Sequence, residues 1–255
     1  MVYLRPKKSL GQHFLTDANI ARKIVNSLPS DTVNILEIGP GKGILTKYIL
    51  SNKNWNAYFI ETDKKFVEYL INHYPDIKAK IICDDFLIFD LNRLSSGKFS
   101  IIGNLPYNIS SQIFFKILEH REKINNLVVM LQKEVAERIS SPPGNKKYGI
   151  LSVLLQAFYD IEYLFTVHEH VFFPPPKVKS AVIRLSRNQV RELNCDEKNF
   201  KRVVKAAFNQ RRKTLRNSLK QIDIDTSNLP EGLLSKRAEQ LFINDFVVLT
   251  KNIIS

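Results

Sequence analysis

The chain of 255 residues holds only two cysteines, Cys83 and Cys195, far apart in sequence. Two such thiols form neither a disulfide framework nor a zinc spacing, and they fit a reducing, cytoplasmic setting as unreactive side chains. Long hydrophobic runs are missing as well. No apolar stretch approaches the roughly 20 residues that cross a bilayer, and the opening "MVYLRPKKSLGQHFL" lacks the continuous apolar core of a secretory signal. There are no internal repeats and no low-complexity tracts. Acidic residues are scarce: 25 against 38 Lys and Arg, a net charge of +13. An excess of that size implies a polyanionic partner, and with 44% hydrophobic residues the chain reads as globular and not disordered.

The positive charge is not a uniform coat. Between Lys177 and Lys220 fourteen Lys or Arg face three acids (Glu192, Asp196 and Glu197), a local excess of +11, whereas 221–255 carries five acids and three bases. Upstream, short apolar runs at 33–38, 56–60, 79–83, 99–103 and 126–131 alternate with helical patterns near 16–28, 43–51, 64–72 and 110–119, and further strands are expected at 161–167 and 180–186. Continuous apolar strands between amphipathic helices predict a parallel α/β sheet covered on both faces, a Rossmann-like domain. After about residue 188 the spacing becomes helical ("FKRVVKAAF", "TLRNSLKQI", "SKRAEQLF", "NDFVVLTKNII"). The expected organisation is thus an α/β domain over 1–188 and a small basic, all-helical domain over 189–255. "SPPGNKKYG" (141–149) reads as a flexible surface loop.

"EIGPGKG" (37–43) joins the first long strand to a helix. Gly39 and Gly41 allow a tight turn and a close ligand approach. Ile44 stands where the dinucleotide fingerprint wants a small residue, and no Lys-Ser/Thr follows as in a phosphate-binding loop. Glu37 lies on this strand; Glu61 and Asp85 follow the next two. Glu61 can accept both hydroxyls of a ribose and Asp85 an adenine amino group. Successive acidic strand ends suit a neutral or cationic nucleoside better than a pyrophosphate, and S-adenosyl-L-methionine is such a ligand.

"IIGNLPYNIS" (101–110) ends an apolar strand on an amide, a stiffened turn and an aromatic ring. Methyl transfer from a sulfonium needs no metal, but an adenine amine has its lone pair delocalised into the ring. Hydrogen bonds from that amine to the Asn104 side-chain oxygen and to the Leu105 or Pro106 carbonyl would make it more nucleophilic and aim it. Tyr107 can stack on the base. His168 and His170 have a spacing seen in metal pairs, but with no further ligand they make a poor zinc site, and no metal is expected.

These stretches, with "KKSLGQHFL" (7–15), "FFPPPKVKSAVIRL" (172–185) and "AFNQRRKTLRNSL" (207–219), resemble in order the ribosomal RNA adenine N6-dimethyltransferases, and most closely the branch that acts on small-subunit rRNA. The resemblance implies S-adenosylmethionine contacts at His13, Leu15, Gly39, Glu61, Asp85 and Asn104, with His13 standing where the family commonly has Asn. It further implies that Phe172, or its neighbour Phe173, packs on the target adenine opposite Tyr107. The expected partner is small-subunit rRNA in the immature 30S subunit, approached by a monomer, with neither membrane nor DNA involved. Arg211, Arg212, Lys213, Arg216 and Lys220, with Lys177, Lys179, Arg5, Lys7 and Lys8, form the expected RNA track. The rival readings are a large-subunit rRNA methyltransferase, a DNA or protein methylase of the Asn-Pro-Pro-Tyr type, and a non-catalytic assembly or transcription factor on the same fold.

Overall fold

The computed structural model describes residues 12–94 and 97–254. The chain divides into two compact units, one of residues up to 136 with 161–187, the other of 137–160 with 188–255. The chain passes from the first unit to the second after Arg187, and segment 137–160 clusters with the later helices. Arg5, Lys7 and Lys8 lie outside the described residues.

The first unit opens with β1 (Phe14–Leu15) and α1 (Ala18–Asn26). The Asp17 carboxylate accepts from the backbone N–H of Asn19 and Ile20 at 2.8 and 3.0 Å and so caps α1. Its buried stripe is Ala21, Ile24 and Val25. Then follow β2 (Asn34–Ile38), α2 (Thr46–Ser51), β3 (Asn56–Glu61), α3 (Lys64–His73), β4 (Ile81–Cys83), β5 (Phe99–Asn104), α4 (Ser110–Glu119) and β6 (Ile124–Gln132). The helix expected over 43–51 begins only at Thr46, because Gly39, Gly41 and Gly43 all take positive φ in the preceding turn. After α5 (Lys133–Ile139) and α6 (Ile150–Gln156), which lie wholly or partly in the other unit, the chain adds β7 (Tyr159–Val167), β8 (Phe172–Phe173) and β9 (Ser180–Arg187).

The large sheet has the order β4-β3-β2-β5-β6-β9-β7. Its first five strands are parallel neighbours, and β9 runs antiparallel to β6, so the sheet is mixed where a parallel one was expected. Strand alternation sends Ile35, Ile102, Val128 and Val182 into one apolar layer with α1 and α2, while the equally buried Leu36, Ile101 and Leu127 point to the other face. The chain leaves β2 toward β3 and β4, then returns to build β5 and β6 on β2's other side. The strand order therefore reverses between β2 and β5. In open α/β sheets that reversal opens a crevice beyond the strand ends. Here it is flanked by the glycine turn after β2 and by Asn104 at the end of β5.

The second unit packs α7 (Glu197–Asn209), α8 (Leu215–Ser218) and α9 (Ile243–Lys251) with 137–160. Asp196 caps α7 by accepting from Asn199 N–H at 2.7 Å. Phe208 and Phe246 stack at 6.0 Å, and Tyr148 meets Phe208 edge-on. Two expected helices shrink: "TLRNSLKQI" to the four residues of α8, and "SKRAEQLF" to a single tight turn at Ala238–Gln240. The 141–149 segment is not loose. Tyr148 is fully buried, and Arg211 donates to the Lys146 and Tyr148 carbonyls at 2.6 and 2.8 Å. Arg211 thus staples this segment and leaves the expected RNA track, and Arg212 lies ahead of α8.

Candidate active site

A cavity of about 220 Å³ opens at the reversal point. Its floor is apolar, with Ile38, Ile60, Phe86 and Leu87, and its polar groups include Glu61, Asp85 and Asn104. Among the described residues no Lys or Arg lines it, which disfavours a polyphosphate and suits a nucleoside carrying positive charge.

Gly39 and Gly41 sit at φ +64° and +54°, where residues with a Cβ are strained. A Cβ at Gly41 would also meet the Phe14 ring at 3.0 Å. The turn is tied to β3: Gly39 N–H donates to the Ile60 carbonyl at 2.9 Å, and Gly41 N–H to Glu61 Oε2 at 3.0 Å. Glu61 Oε1 accepts from Asp63 N–H at 3.0 Å. Burial raises the Glu61 pKa, and these backbone donors pull it back. One carboxylate thus ties the glycine turn to the residues that follow β3. Asp85 also lines the cavity, its Oδ1 held by Leu87 N–H at 2.8 Å.

Asn104 Nδ2 donates to the His13 carbonyl at 2.8 Å. With the amide nitrogen committed there, the carboxamide oxygen becomes the acceptor for a ligand. Leu105 N–H bonds the Met130 carbonyl at 2.9 Å, and the Pro106 carbonyl accepts from Ile109 N–H at 3.3 Å in the next turn. Of the two carbonyls considered from sequence, Leu105's is therefore the better placed as second acceptor. Tyr107 is held by a 2.6 Å hydrogen bond between its hydroxyl and Ser180 Oγ. Burial raises its pKa. The His13 ring stacks on Tyr107 at 5.5 Å while His13 Nδ1 contacts the Pro174 carbonyl at 2.8 Å. His13 thereby links three sequence motifs.

Two expectations need correction. Leu15 and Phe172 pair across β1 and β8, and both point into the apolar core at 5% and 4% exposure. Neither lines the cavity. In an extended pair neighbours face opposite ways, so Phe14 and Phe173 take the outer side. Phe14 reaches the cavity, and Phe173 is 59% exposed.

Sequence reasoning passed over Lys116. It is 8% exposed, its ammonium donates to the Phe89 carbonyl, and it lies 5.2 Å from the Phe86 ring. It therefore holds the 84–90 turn that carries Asp85, Phe86 and Leu87. Burial lowers its pKa, and the nearby carboxylates, Asp85 foremost, oppose that shift. A lysine in an amphipathic helix ordinarily reads as solvated, so only a neighbouring acidic cluster could have flagged it.

Glu37 lies beneath the glycine turn, 1% exposed, and accepts from Thr46 Oγ1 at 2.7 Å. Burial pushes its pKa up to about 8, against the Thr46 hydrogen bond and with a smaller push from Glu61. A carboxyl whose folded pKa exceeds its unfolded value of 4.5 keeps a proton that the unfolded chain has released. Its contribution to stability is complete below 4.5 and is lost as pH rises through about 8. Glu37→Gln should match wild type near pH 5 and surpass it by a few kcal/mol near pH 9, at ~1.4 kcal/mol per pKa unit. Urea unfolding at the two pH values checks this; parallel pH profiles would refute it.

The sequence profile described as "Ribosomal RNA adenine dimethylase" matches residues 4–248. The chain belongs to that family. It is an S-adenosylmethionine-dependent rRNA methyltransferase. The dimethylase is 54% identical over 254 residues to the "Ribosomal RNA small subunit methyltransferase A" of Parabacteroides distasonis, covering 98% of this chain and 94% of that one. The protein of the same name from Cytophaga hutchinsonii is also 54% identical, over 252 residues, covering 98% of each. Among solved structures, a dimethyladenosine transferase from Plasmodium falciparum superposes with a TM-score of 0.77 at 23% identity, covering 93% of the dimethylase and 96% of its own chain. The 23S rRNA methyltransferase ErmE gives 0.70 at 21%, covering 93% and 99%. Both share the fold.

Proposed function

We propose that the dimethylase places two methyl groups on N6 of each of two adjacent adenines near the 3′ end of small-subunit rRNA, as a monomer acting on immature 30S subunits in the cytoplasm. The name carried by the 54%-identical relatives favours the small subunit over the large. The observation that carries the chemistry is the Asn104 carboxamide, its N–H₂ engaged by His13 and its oxygen left for an amine beside the glycine turn.

S-adenosylmethionine, when bound, supplies an electrophilic methyl on a sulfonium that departs as a neutral thioether. Gly39, Gly41, Glu61 and Asp85 would hold it, with His13 bordering the same cavity. Asn104 Oδ1 and the Leu105 carbonyl would accept hydrogen bonds from the two amine N–H groups. These two acceptors would direct the nitrogen lone pair toward the methyl group that bound S-adenosylmethionine would supply, the N–C bond forming at the expense of its S–C bond. The surplus proton leaves to water, so no general base is required. One N–H remains after the first transfer, and the methylated nitrogen must turn within the pocket before the second. Tyr107 stacks on the base. Phe173, the exposed neighbour of the buried Phe172, supplies the opposite face. Base–aromatic stacking contributes about 1–3 kcal/mol per base, which offsets much of the few kcal/mol spent on extruding the nucleotide. Arg212, Lys213, Arg216 and Lys220, together with Lys177 and Lys179, contact phosphates and position the RNA without reading its sequence.

Incubating the enzyme with undermethylated small and large subunits, followed by mass spectrometry of the rRNA, tests this reading. Dimethyladenosine is expected in small-subunit RNA. Incorporation confined to large-subunit RNA would overturn the assignment.

A further inference from the structure

Helix α4 buries Ile113, Phe114 and Ile117 completely, and with them one charge, Lys116. An ammonium taken out of water is costly unless partners compensate it, and an apolar residue would pack the same slot. The compensation comes from the 84–90 turn. Lys116 Nζ donates to the Phe89 carbonyl, and the acids acting on it are Asp85 first, then Asp90, Glu119 and Asp84. The near end of the turn is tied to β3, where Asp84 N–H donates to the Glu61 carbonyl at 3.2 Å. Its middle is closed by the Asp85 carbonyl, which accepts from Ile88 and Phe89 N–H at 3.1 and 2.9 Å. Lys116 ties the far end to α4. With Leu87 N–H on Asp85 Oδ1, Oδ2 is left for a ligand of the cavity, whereas Lys116 itself does not line it. We propose that Lys116 is the positioning residue that makes the cofactor subsite selective for an aminopurine, by holding Asp85 Oδ2 where the adenine amine is bound.

The proposal rests on the assignment of Asp85 to the cofactor adenine made above. A carboxylate only accepts, so it suits the 6-amino group of adenine and opposes the 6-oxo group of hypoxanthine. That choice depends on where the carboxylate stands. Without Lys116 the buried Phe89 residue loses the partner of its carbonyl, and Asp84, Asp85 and Asp90 repel one another without the ammonium beside them. The turn then relaxes, and Oδ2 leaves the purine edge.

Calorimetric titration of the full chain with S-adenosylhomocysteine and with S-inosylhomocysteine, its hypoxanthine analogue, tests this through the ratio of the two affinities. Lys116→Met keeps most of the bulk and drops the charge. It should narrow the preference for the adenine form about tenfold, through weaker binding of that form. Lys116→Gln, also neutral but still a donor, carries the same comparison should Lys116→Met fail to fold. Lys116→Arg keeps both charge and donors and should stay closer to the wild-type ratio. A lysine that served packing alone would weaken both ligands equally and lower the melting temperature, so an unchanged ratio in the neutral variants overturns the proposal. Asp85→Asn separates the two layers of the argument. If it abolishes the preference while the neutral Lys116 variants keep it, the role of Lys116 falls and the cofactor assignment stands. If Asp85→Asn itself keeps the wild-type ratio, Asp85 does not read the adenine, and the role of Lys116 falls with that assignment.

Discussion

Asn104→Ala is expected to lower methyl transfer at least a hundredfold while the protein stays folded. The substitution removes the acceptor that aims the amine, and loss of one preorganised polar partner of a reacting centre costs about 10²–10³ in rate. It also removes the 2.8 Å bond to the His13 carbonyl. That neutral, partly buried hydrogen bond is worth ~1 kcal/mol net, too little to unfold a chain of this size. Affinity for S-adenosylhomocysteine should fall by no more than about tenfold, because Glu61 and the glycine turn are untouched. Asn104→Asp should be as inactive for a second reason: it sets a carboxylate against the His13 carbonyl, so the side chain must turn away. Mass spectrometry of the methylated rRNA, with calorimetric titration of the cofactor product, separates the two effects. Near-normal turnover in Asn104→Ala would remove the basis of the proposed chemistry.

The glycine turn, the acidic strand ends and the Asn-Leu-Pro-Tyr stretch were legible because each lies at the end of a buried parallel strand. Such strands read as continuous apolar runs, and Asn34–Ile38, Asn56–Glu61 and Phe99–Asn104 fall within a residue or so of the expected bounds. The antiparallel course of Ser180–Arg187 was not legible. Its apolar pattern records only that it is buried, and direction comes from a non-local partnership with Ile124–Gln132. Segment 137–160 was read with its sequence neighbours for the same reason. Its ties to Arg211 and Phe208 span some sixty residues.

At the site, strand parity and the reach of long side chains are what the sequence does not reveal. Phe172 and Phe173 are chemically identical neighbours, and only the two-residue pairing with Phe14 and Leu15 decides which one faces outward. The same pairing turned Leu15 into the core. Lys116 and Arg211 look like ordinary solvated charges until the backbone carbonyls they reach are placed beside them.

Gly103→Ala is the second large effect expected, and it acts through backbone alone. Gly103 is paired in parallel register with Ile38, and a Cβ there would lie 2.6 Å from the Ile38 carbonyl oxygen. No rotamer relieves that contact, because the obstructing atom is main chain in the centre of the sheet. The strands must part or twist locally, and overpacking of this kind costs about 1–3 kcal/mol, occasionally more. The functional loss should exceed the loss of stability. Ile38 leads directly into Gly39 and Gly103 into Asn104, so the strand pair sets the spacing between the glycine turn and the carboxamide. A displacement near 1 Å at that spacing can cost about a hundredfold in rate. The variant should therefore unfold at lower urea and, under conditions where it is still fully folded, bind the cofactor product weakly and methylate poorly. A folded variant with wild-type affinity and turnover would mean that the close approach of these two strands does not set the geometry of the site.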